Sequence, residues 1–262
     1  MKLTRMNVLL LIVFTAFCAG ACSKKQADAA GTGAIKKADV LKVGVKSDVP
    51  GFGFLNTSTN EYEGLEIEIA KLLAGEILGD SGKIKFEPVT AKTRGPLLDN
   101  GELDMIIATF TITDERRLTY NFSTPYYTDA VGMLVKKASG IASLADLNGK
   151  TVGVAQSATS KDAIDAAAKA IGVTLNFAEF ATYPEIKAAL DSGRVDVFSV
   201  DKSILNGYLD AETTILPDEF SPQPYGVATK LSNKELANYV DSLIKKWLND
   251  GTISALINQF HL

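Results

Sequence analysis

A pattern that occurs twice along the chain constrains its fold more than any other feature. Residues 43–47 (VGVKS) recur as 152–157 (VGVAQS), and residues 98–106 (LDNGELDMI) recur as 190–198 (LDSGRVDVF). Each copy predicts a strand, a helix, a second strand, a second helix and a Gly turn into a third strand. Short turns of this kind can resemble each other by chance, but two matched motifs in the same order favour a repeat.

Two such units predict an α/β molecule of two lobes with a cleft between them. Each lobe is expected to contain a mostly parallel sheet flanked by helices. Lobe 1 is assigned residues 39–130 and 225–262, and lobe 2 is assigned residues 131–224. Two crossing segments, near 129–134 and 222–227, are expected to form the hinge.

The first 21 residues are typical of an export signal. Lys2 and Arg5 give a positively charged start, and the apolar stretch 8–17 is too short to span a bilayer. Residues 1–21 are therefore predicted to be a cleaved signal peptide. The mature protein is expected in the periplasm or on the outer face of the cell envelope.

Cys22 stands where a lipoprotein signal places its lipidated cysteine. The usual motif has Leu three residues earlier, where this chain has Ala19, and the small residues 19–21 also fit an ordinary signal-peptidase site. We favour a lipid anchor at Cys22, with simple cleavage as the alternative. Residues 22–38, mostly Ala, Gly, Lys and Asp, then predict a flexible tether.

The composition excludes several functions. The formal net charge is -4 and the basic residues form no run, so no nucleic-acid partner is expected. The two cysteines are Cys18, inside the signal, and Cys22, so the folded part has no disulfide, thiolate metal site or cysteine nucleophile. We expect no metal and no cofactor.

Open parallel sheets bind ligands beyond the carboxyl ends of their strands, and this rule selects the candidate site. Hydroxyl groups, free backbone N–H groups, three cations and one carboxylate are predicted to meet there. These residues are Lys46, Arg94, Phe110, Thr111, Arg116, Thr159 and Asp201.

This set of residues suits an amino acid ligand. Arg116, with Thr111 and the turn at Thr159, can bind an α-carboxylate through guanidinium, hydroxyl and N–H donors. Asp201 and the carbonyl of Phe110 can accept hydrogen bonds from an α-ammonium group.

Lys46 and Arg94 then remain without a partner. A neutral ligand would leave both cations buried and unpaired at a high cost in free energy, whereas a side-chain carboxylate would pair with them. The three cations and the single Asp201 carboxylate therefore predict a ligand of net negative charge, L-aspartate or L-glutamate, without ranking the two.

Each of these residues also has a simpler interpretation. An Arg or Lys at a strand end is commonly a solvated surface charge, and Asp201 could cap a helix over 202–209. Thr111 could form a turn, with Glu115 and Arg116 in a surface ion pair. The coincidence of so many residues at predicted strand ends favours a binding site.

Several motifs resemble those of a known family. From about residue 40 to the C-terminus, the chain is similar to the polar amino acid-binding proteins of ABC importers, which have the type II periplasmic-binding-protein fold. Three segments further resemble the PEB-type aspartate/glutamate-binding proteins. The family motifs are 109–116 (TFTITDER), 121–127 (NFSTPYY) and 143–150 (SLADLNGK), and the PEB-type segments are 45–50 (VKSDVP), 91–101 (AKTRGPLLDNG) and 198–203 (FSVDKS).

The resemblance implies a monomer that delivers its ligand to an ABC permease and ATPase without chemistry. It implies the same division of roles at the site and adds a residue on the second hinge strand. The α-carboxylate falls to Arg116, Thr111 and Thr159, the α-ammonium group to Asp201, and the ligand side chain to Arg94 with Lys46 nearby, while Tyr225 is the added ligand contact.

Two other functions are compatible with such a fold. Dehydratases for prephenate-like acids resemble the family, but they need a carboxylic acid poised to protonate a leaving group. Here Asp201 is assigned to the ammonium group and the one histidine, His261, lies beside the C-terminus, so we expect no enzyme. A surface adhesin or sensor that also binds amino acids is the other alternative.

Overall fold

The computed structural model of the protein describes residues 31–262. The predicted signal peptide, Cys22 and the first part of the predicted tether lie outside these residues. The first part of the described chain contains α1 (Gly33–Ala38), β1 (Leu41–Val45), β2 (Asp48–Val49), β3 (Gly53–Asn56), β4 (Glu61–Glu63), α2 (Leu65–Leu78), β5 (Ile84–Pro88), α3 (Arg94–Asn100), β6 (Met105–Ile107), α4 (Asp114–Arg117) and β7 (Tyr120–Phe122). The middle part contains β8 (Tyr127–Lys136), β9 (Thr151–Ala155), α5 (Ser160–Ala170), β10 (Asn176–Phe180), α6 (Tyr183–Asp191), β11 (Val197–Asp201), α7 (Lys202–Asn206), β12 (Thr213–Ile215) and β13 (Phe220–Tyr225). The last part contains β14 (Ala228–Lys230), α8 (Lys234–Asn249) and α9 (Thr252–Gln259).

Lobe 1 is built on a five-stranded sheet in the order β5-β1-β6-β14-β7. β1 pairs parallel with β5 and β6, because a helix crosses over between successive strands. β14, from near the C-terminus, pairs antiparallel with β6 and β7. Val240 and Ile244 of α8 are buried in the same core as Leu73 of α2, so the C-terminal helix packs on the first lobe.

Lobe 2 repeats this arrangement with the strand order β10-β9-β11-β8-β12. β9 pairs parallel with β10 and β11, while β8 pairs antiparallel with β11 and β12. Each sheet thus has a parallel core of three strands, extended by antiparallel strands where the chain passes between the lobes. The two-lobed α/β fold is confirmed.

The repeated motif has a packing reason in both lobes. A Cβ atom on Gly44 would lie 2.6 Å from Leu103, and a Cβ atom on Gly153 would lie 3.2 Å from Val195, the residue that matches Leu103 in the repeat. Glycine in the first strand therefore makes room for the apolar residue that precedes the third strand.

The aspartates of the repeat tie the third strand of each lobe to the first. Asp104 accepts a hydrogen bond from the backbone N–H of Lys42 at 2.8 Å, and Asp196 accepts one from the N–H of Thr151 at 2.8 Å. Leu-Asp-x-Gly-x-Leu/Val-Asp is thus a structural motif that ties together the amino ends of the first and third strands, at the edge of each sheet opposite the cleft.

Two antiparallel strands connect the lobes. β8 and β13 pair from Tyr127 with Tyr225 to Val131 with Phe220, with a register shift between Phe220 and Pro222. This ribbon corresponds to the two predicted crossing segments, although its β8 part begins at Tyr127 rather than near residue 129. The exact lobe boundaries stay a prediction.

The predicted tether, 22–38, is wrong at its C-terminal end. Residues 33–38 form α1, Ile35 is only 3% exposed, and Thr32 is fully buried. The Nδ2 of Asn233 donates to the carbonyl of Gly31 at 3.1 Å, which holds the start of the described chain against α8. A single apolar residue, Ile35, is enough to dock a short helix, and one residue gives no periodic signal in the sequence.

No helix within residues 31–262 is long and apolar enough to cross a membrane.

Replacing Ile35 tests the docking of α1. Ile35→Ala is expected to lower the free energy of unfolding by about 2 kcal/mol, since a buried side chain is lost and a cavity remains. Urea unfolding followed by circular dichroism measures this change. Lys37→Ala, in the same helix but exposed, is the control and should change stability by less than about 0.5 kcal/mol. Equal effects of the two variants would show that α1 is not docked.

Candidate ligand-binding site

Three of the predicted charged residues lie at strand ends and are buried. Lys46 directly follows β1, Arg94 begins α3 after β5, and Asp201 ends β11. Their exposed fractions are 2%, 3% and 5%. The alternative interpretation as solvated surface charges is therefore wrong for Lys46 and Arg94.

Arg116 bridges the two lobes. Its Nη1 donates to the carbonyl of Thr111 at 2.8 Å, and its Nη2 donates to the carbonyl of Ser157 in lobe 2 at 3.2 Å. Burial, and then the neighbouring charge of Arg94, lower the pKa of Arg116 to about 9. A desolvated guanidinium held by neutral carbonyls is a favourable place for an anion.

The ring of Phe110 contacts the guanidinium groups of both Arg94 and Arg116. The guanidinium carbon of Arg94 lies 4.0 Å from the ring centroid and that of Arg116 lies 4.7 Å from it. This cation–π contact fixes the two guanidinium groups beside each other despite their like charge. The carbonyl of Phe110, predicted to face an α-ammonium group, accepts a hydrogen bond from the N–H of Gly226 at 3.2 Å and keeps one lone pair for another donor.

Thr111 and Thr159 meet at a residue that the sequence did not indicate. Both hydroxyl groups donate to Oε1 of Gln223, at 2.8 and 2.7 Å. Thr111 belongs to lobe 1, Thr159 begins a helix of lobe 2, and Gln223 lies on the hinge strand β13. The two threonines are thus brought together, and Gln223 is the acceptor for both of their hydroxyl protons.

Asp201 stands at the N-cap position of α7, but its side chain makes no capping hydrogen bond to that helix, so the alternative role of its carboxylate as a helix cap is wrong. Its carboxylate instead accepts a short hydrogen bond from the hydroxyl of Tyr225, which is itself fully buried. Burial raises the pKa of Asp201 to about 7, against the lowering effect of that hydrogen bond. Tyr225 therefore orients the carboxylate that is assigned to the α-ammonium group.

Lys46 has a partner inside the chain. Its ammonium group lies 3.0 Å from Oδ1 of Asp48 and 4.5 Å from the ring centroid of Tyr183. Burial lowers the pKa of Lys46, and Asp48 partly offsets this shift. The expectation that Lys46 would remain unpaired without an acidic ligand is wrong, because Asp48, two residues further along the chain, was left out of the count.

Glu66 is a second carboxylate that the sequence did not reveal. It lies in the first turn of α2 and is fully buried, and the charges of Arg94 and Lys46 act on it. Among the described residues around the site, Lys46, Arg94, Glu66 and Asp201 are buried and Arg116 and Asp48 are half-buried, which gives three cations and three carboxylates. The prediction of one carboxylate against three cations is wrong.

Sequence signals existed for some of these residues. Tyr183 begins α6 after β10, the place that Arg94 occupies after β5 in the first copy of the repeat, so the strand-end rule applied to every strand would have found it. Glu66 gives no such signal, because an acidic residue in the first turn of a helix is normally an exposed partner of the helix dipole.

A cavity of about 1010 Å³ leads from the surface to Arg116 between the lobes. Thr113 and Thr119 line it from lobe 1, and Ser157, Thr159 and Asp162 line it from lobe 2. Of the candidate site residues, Arg116 and Thr159 line this cavity, whereas Lys46, Arg94 and Asp201 do not, so the gap between the lobes gives access to the Arg116 side of the site. Within the described part of the chain, no group of three or more His, Cys, Asp or Glu side chains is placed to hold a metal ion.

Two lobes joined by a two-stranded hinge, with buried charged groups from both lobes facing the cleft, define a binding protein with the type II periplasmic fold. Residues 41–262 match the bacterial extracellular solute-binding proteins, family 3, and the chain belongs to this family. It is therefore an extracytoplasmic solute-binding protein and not an enzyme.

Relatives of this chain have named ligands. It is 36% identical over 257 residues to the ABC transporter glutamine-binding protein GlnH of Bacillus subtilis, covering 94% of this chain and 92% of that protein. It is 43% identical over 212 residues to the glutamine-binding protein of Geobacillus stearothermophilus, covering 80% and 78%. Two structures of an ancestral arginine-binding protein also align with this chain at 32% identity over 85% of its length. The structure bound to arginine has a TM-score of 0.75 with 98% of its chain covered, and the structure bound to glutamine has a TM-score of 0.76 with 97% covered.

The raised pKa of Asp201 predicts how stability depends on pH. In the unfolded chain the Asp201 carboxyl loses its proton near pH 4, whereas in the folded ligand-free protein it keeps the proton up to about pH 7. The stability that the proton contributes is fully present below about pH 4 and is lost as the pH rises through about 7. Asp201→Asn cannot ionise, so its free energy of unfolding is expected to fall less between about pH 5 and pH 8 than that of the wild type.

Urea unfolding of ligand-free protein at the two pH values measures this difference. Glu102→Gln, an exposed carboxylate changed to an amide, is the control and should follow the wild type. An unchanged slope in Asp201→Asn would show that Asp201 is ionised throughout this range.

Proposed function

We propose that this protein captures an acidic amino acid, L-aspartate or L-glutamate, in the cleft between its lobes and delivers it to an ABC importer. Membership of an extracellular solute-binding family and likeness to amino acid-binding relatives of ABC transporters support the transport role. The choice of an acidic ligand rests on Arg94.

Arg94 is a buried guanidinium held by neutral groups. Its Nη1 donates to the carbonyls of Ala108 and Thr109, at 2.6 and 3.3 Å, and its buried Nε has no hydrogen-bond partner among the described residues. Within residues 31–262 no carboxylate forms an ion pair with it, in contrast to Lys46. A ligand carboxylate would supply the missing charge-assisted hydrogen bond, whereas an amide would supply a weaker one.

In the proposed arrangement, residues from both lobes bind a single amino acid. Arg116 binds the α-carboxylate with the N–H groups at the start of α5, where the buried hydroxyl of Ser160 has no partner in the described chain. Asp201, oriented by Tyr225, binds the α-ammonium group. Arg94 binds the side-chain carboxylate, and Lys46 contributes through its charge while paired with Asp48.

Glutamine is the second candidate ligand. Two relatives are named as glutamine-binding proteins, and the equal number of cations and carboxylates around the site removes the argument that a neutral ligand must leave Lys46 unpaired. Calorimetric titration of ligand-free protein with the twenty amino acids separates the candidates. We expect glutamate and aspartate to bind more tightly than glutamine and asparagine. Glutamine binding as tight as glutamate binding would overturn the acidic specificity.

Substitution of Arg94 tests its role at the side chain. Arg94→Ala is expected to weaken glutamate binding by roughly 2–5 kcal/mol, the usual cost of leaving a buried charge unpaired, and to weaken glutamine binding less. Calorimetry with both ligands gives the two losses. Arg117→Ala, an exposed arginine in α4, is the matched control and should leave both affinities unchanged. Equal losses for the two ligands would contradict the assignment.

We further infer that Cys22 carries a lipid that anchors the protein to the membrane. Its position after a signal-like segment supports this, although it lies outside the described residues. In cells that produce the full chain, wild-type protein should sediment with membranes and Cys22→Ala should be released. Release of the wild-type protein as well would favour simple signal cleavage.

A further inference from the structure

Glu66 is linked through Thr109 to Arg94, the arginine that is assigned to the ligand side chain. It is fully buried, and its Oε1 accepts hydrogen bonds from the N–H of Thr109, at 2.6 Å, and from the hydroxyl of Tyr126. Its Oε2 is buried with no hydrogen-bond partner among residues 31–262. A buried carboxyl oxygen without a hydrogen-bond partner is costly in free energy.

The contacts of Glu66 fix the segment that holds Arg94. Thr109 has φ 42°, in the left-handed region that residues other than glycine seldom adopt. The hydrogen bond from its N–H to Glu66 stabilises this conformation, and in that conformation the carbonyls of Ala108 and Thr109 receive Nη1 of Arg94. Glu66 therefore determines, through Thr109, where the guanidinium of Arg94 lies.

The charge of Glu66 also acts on the cations of the cleft. Arg94 from α3 and Lys46 from the end of β1 are the charged groups that act on it, and Tyr126 is the titratable group that hydrogen-bonds to it. Asp48 already balances Lys46, which leaves Arg94 as the cation whose charge Glu66 offsets most directly. Burial raises the pKa of Glu66 to about 7, while Tyr126, Thr109, Arg94 and Lys46 oppose that shift.

We propose that Glu66 is a specificity-determining positioning residue. Its negative charge, which acts on Arg94, limits how much negative charge the ligand side chain can bring into the cleft. This inference rests on the proposed function, in which Arg94 receives the side chain. With Glu66 neutral, Arg94 gains a full counter-charge from a carboxylate, so glutamate is favoured over glutamine. With Glu66 ionised, its charge already balances part of the charge of Arg94, so a ligand carboxylate adds less favourable free energy and the preference for glutamate is smaller.

The first test compares glutamate and glutamine binding in Glu66→Gln. The amide keeps the side-chain length and an oxygen to accept from Thr109 and Tyr126, but it carries no charge. At about pH 8 the ratio of the glutamine Kd to the glutamate Kd is expected to rise on the order of tenfold over wild type, from the Coulomb energy of two charges at moderate distance in a protein. Calorimetry with both ligands gives this ratio.

Glu68→Gln is the matched control, because Glu68 lies in the same helix turn but is partly exposed and pairs with Lys71 at 2.8 Å. It should leave the ratio unchanged. A Glu66→Gln variant that weakens both ligands equally would show a structural role alone and overturn the proposal.

The second test uses the wild-type protein and does not depend on the variant folding. The Kd ratio is expected to fall as the pH rises from about 6 to about 8, and to fall less in Glu66→Gln. Asp201 titrates in the same range and its charge also acts on Arg94, so the part of the fall that Glu66→Gln removes is the part that Glu66 contributes. A wild-type ratio that favours glutamate equally at every pH would overturn this inference alone, whereas a wild type that prefers glutamine would overturn the proposed function.

Discussion

Removing charged groups from water between two closing lobes is the cost that the rest of this structure must offset. Lys46, Arg94 and Asp201 are almost fully buried, and an unpaired charge in such a place costs several times the free energy of an ordinary hydrogen bond. The chain reduces this cost in three ways. Asp48 pairs with Lys46, Phe110 places its ring against two guanidinium groups, and backbone carbonyls receive Arg94 and Arg116. None of these partners gives either arginine a negative counter-charge in direct contact, and an anionic ligand would.

The repeat explains why so much of the fold and part of the site could be predicted from the sequence. Gly44, Asp104 and their matches in lobe 2 join the first and third strands of one copy of the repeat, so the pattern recurs along the chain together with the strands that it joins. The same rule located Lys46, Arg94 and Asp201, because the residue after a parallel strand must lie at the cleft edge of the sheet.

The parts that could not be predicted are contacts between distant segments. Glu66 reaches Thr109, and Gln223 reaches Thr111 and Thr159, across separations that no local pattern encodes. The docking of α1 through Ile35 is of the same kind, since it depends on a surface that α2 provides. In the predicted charge balance the omission of Glu66 had this origin, because the fold alone brings it near Arg94, whereas Asp48 lies two residues from Lys46 and could have been counted from the sequence.

Gln223 connects the ligand site to the hinge. A single oxygen accepts hydrogen bonds from a threonine of each lobe, and its residue lies on one of the two strands that join the lobes. Separation of Thr111 from Thr159 must therefore break at least one of these hydrogen bonds. The same two hydroxyl protons are the ones that an α-carboxylate beside Arg116 would accept. An α-carboxylate bound as proposed would draw on the same donors as closure of the lobes, so the affinity of the cleft would depend on the difference between the Gln223 carbonyl and a charged carboxylate as acceptors, which favours the charged group.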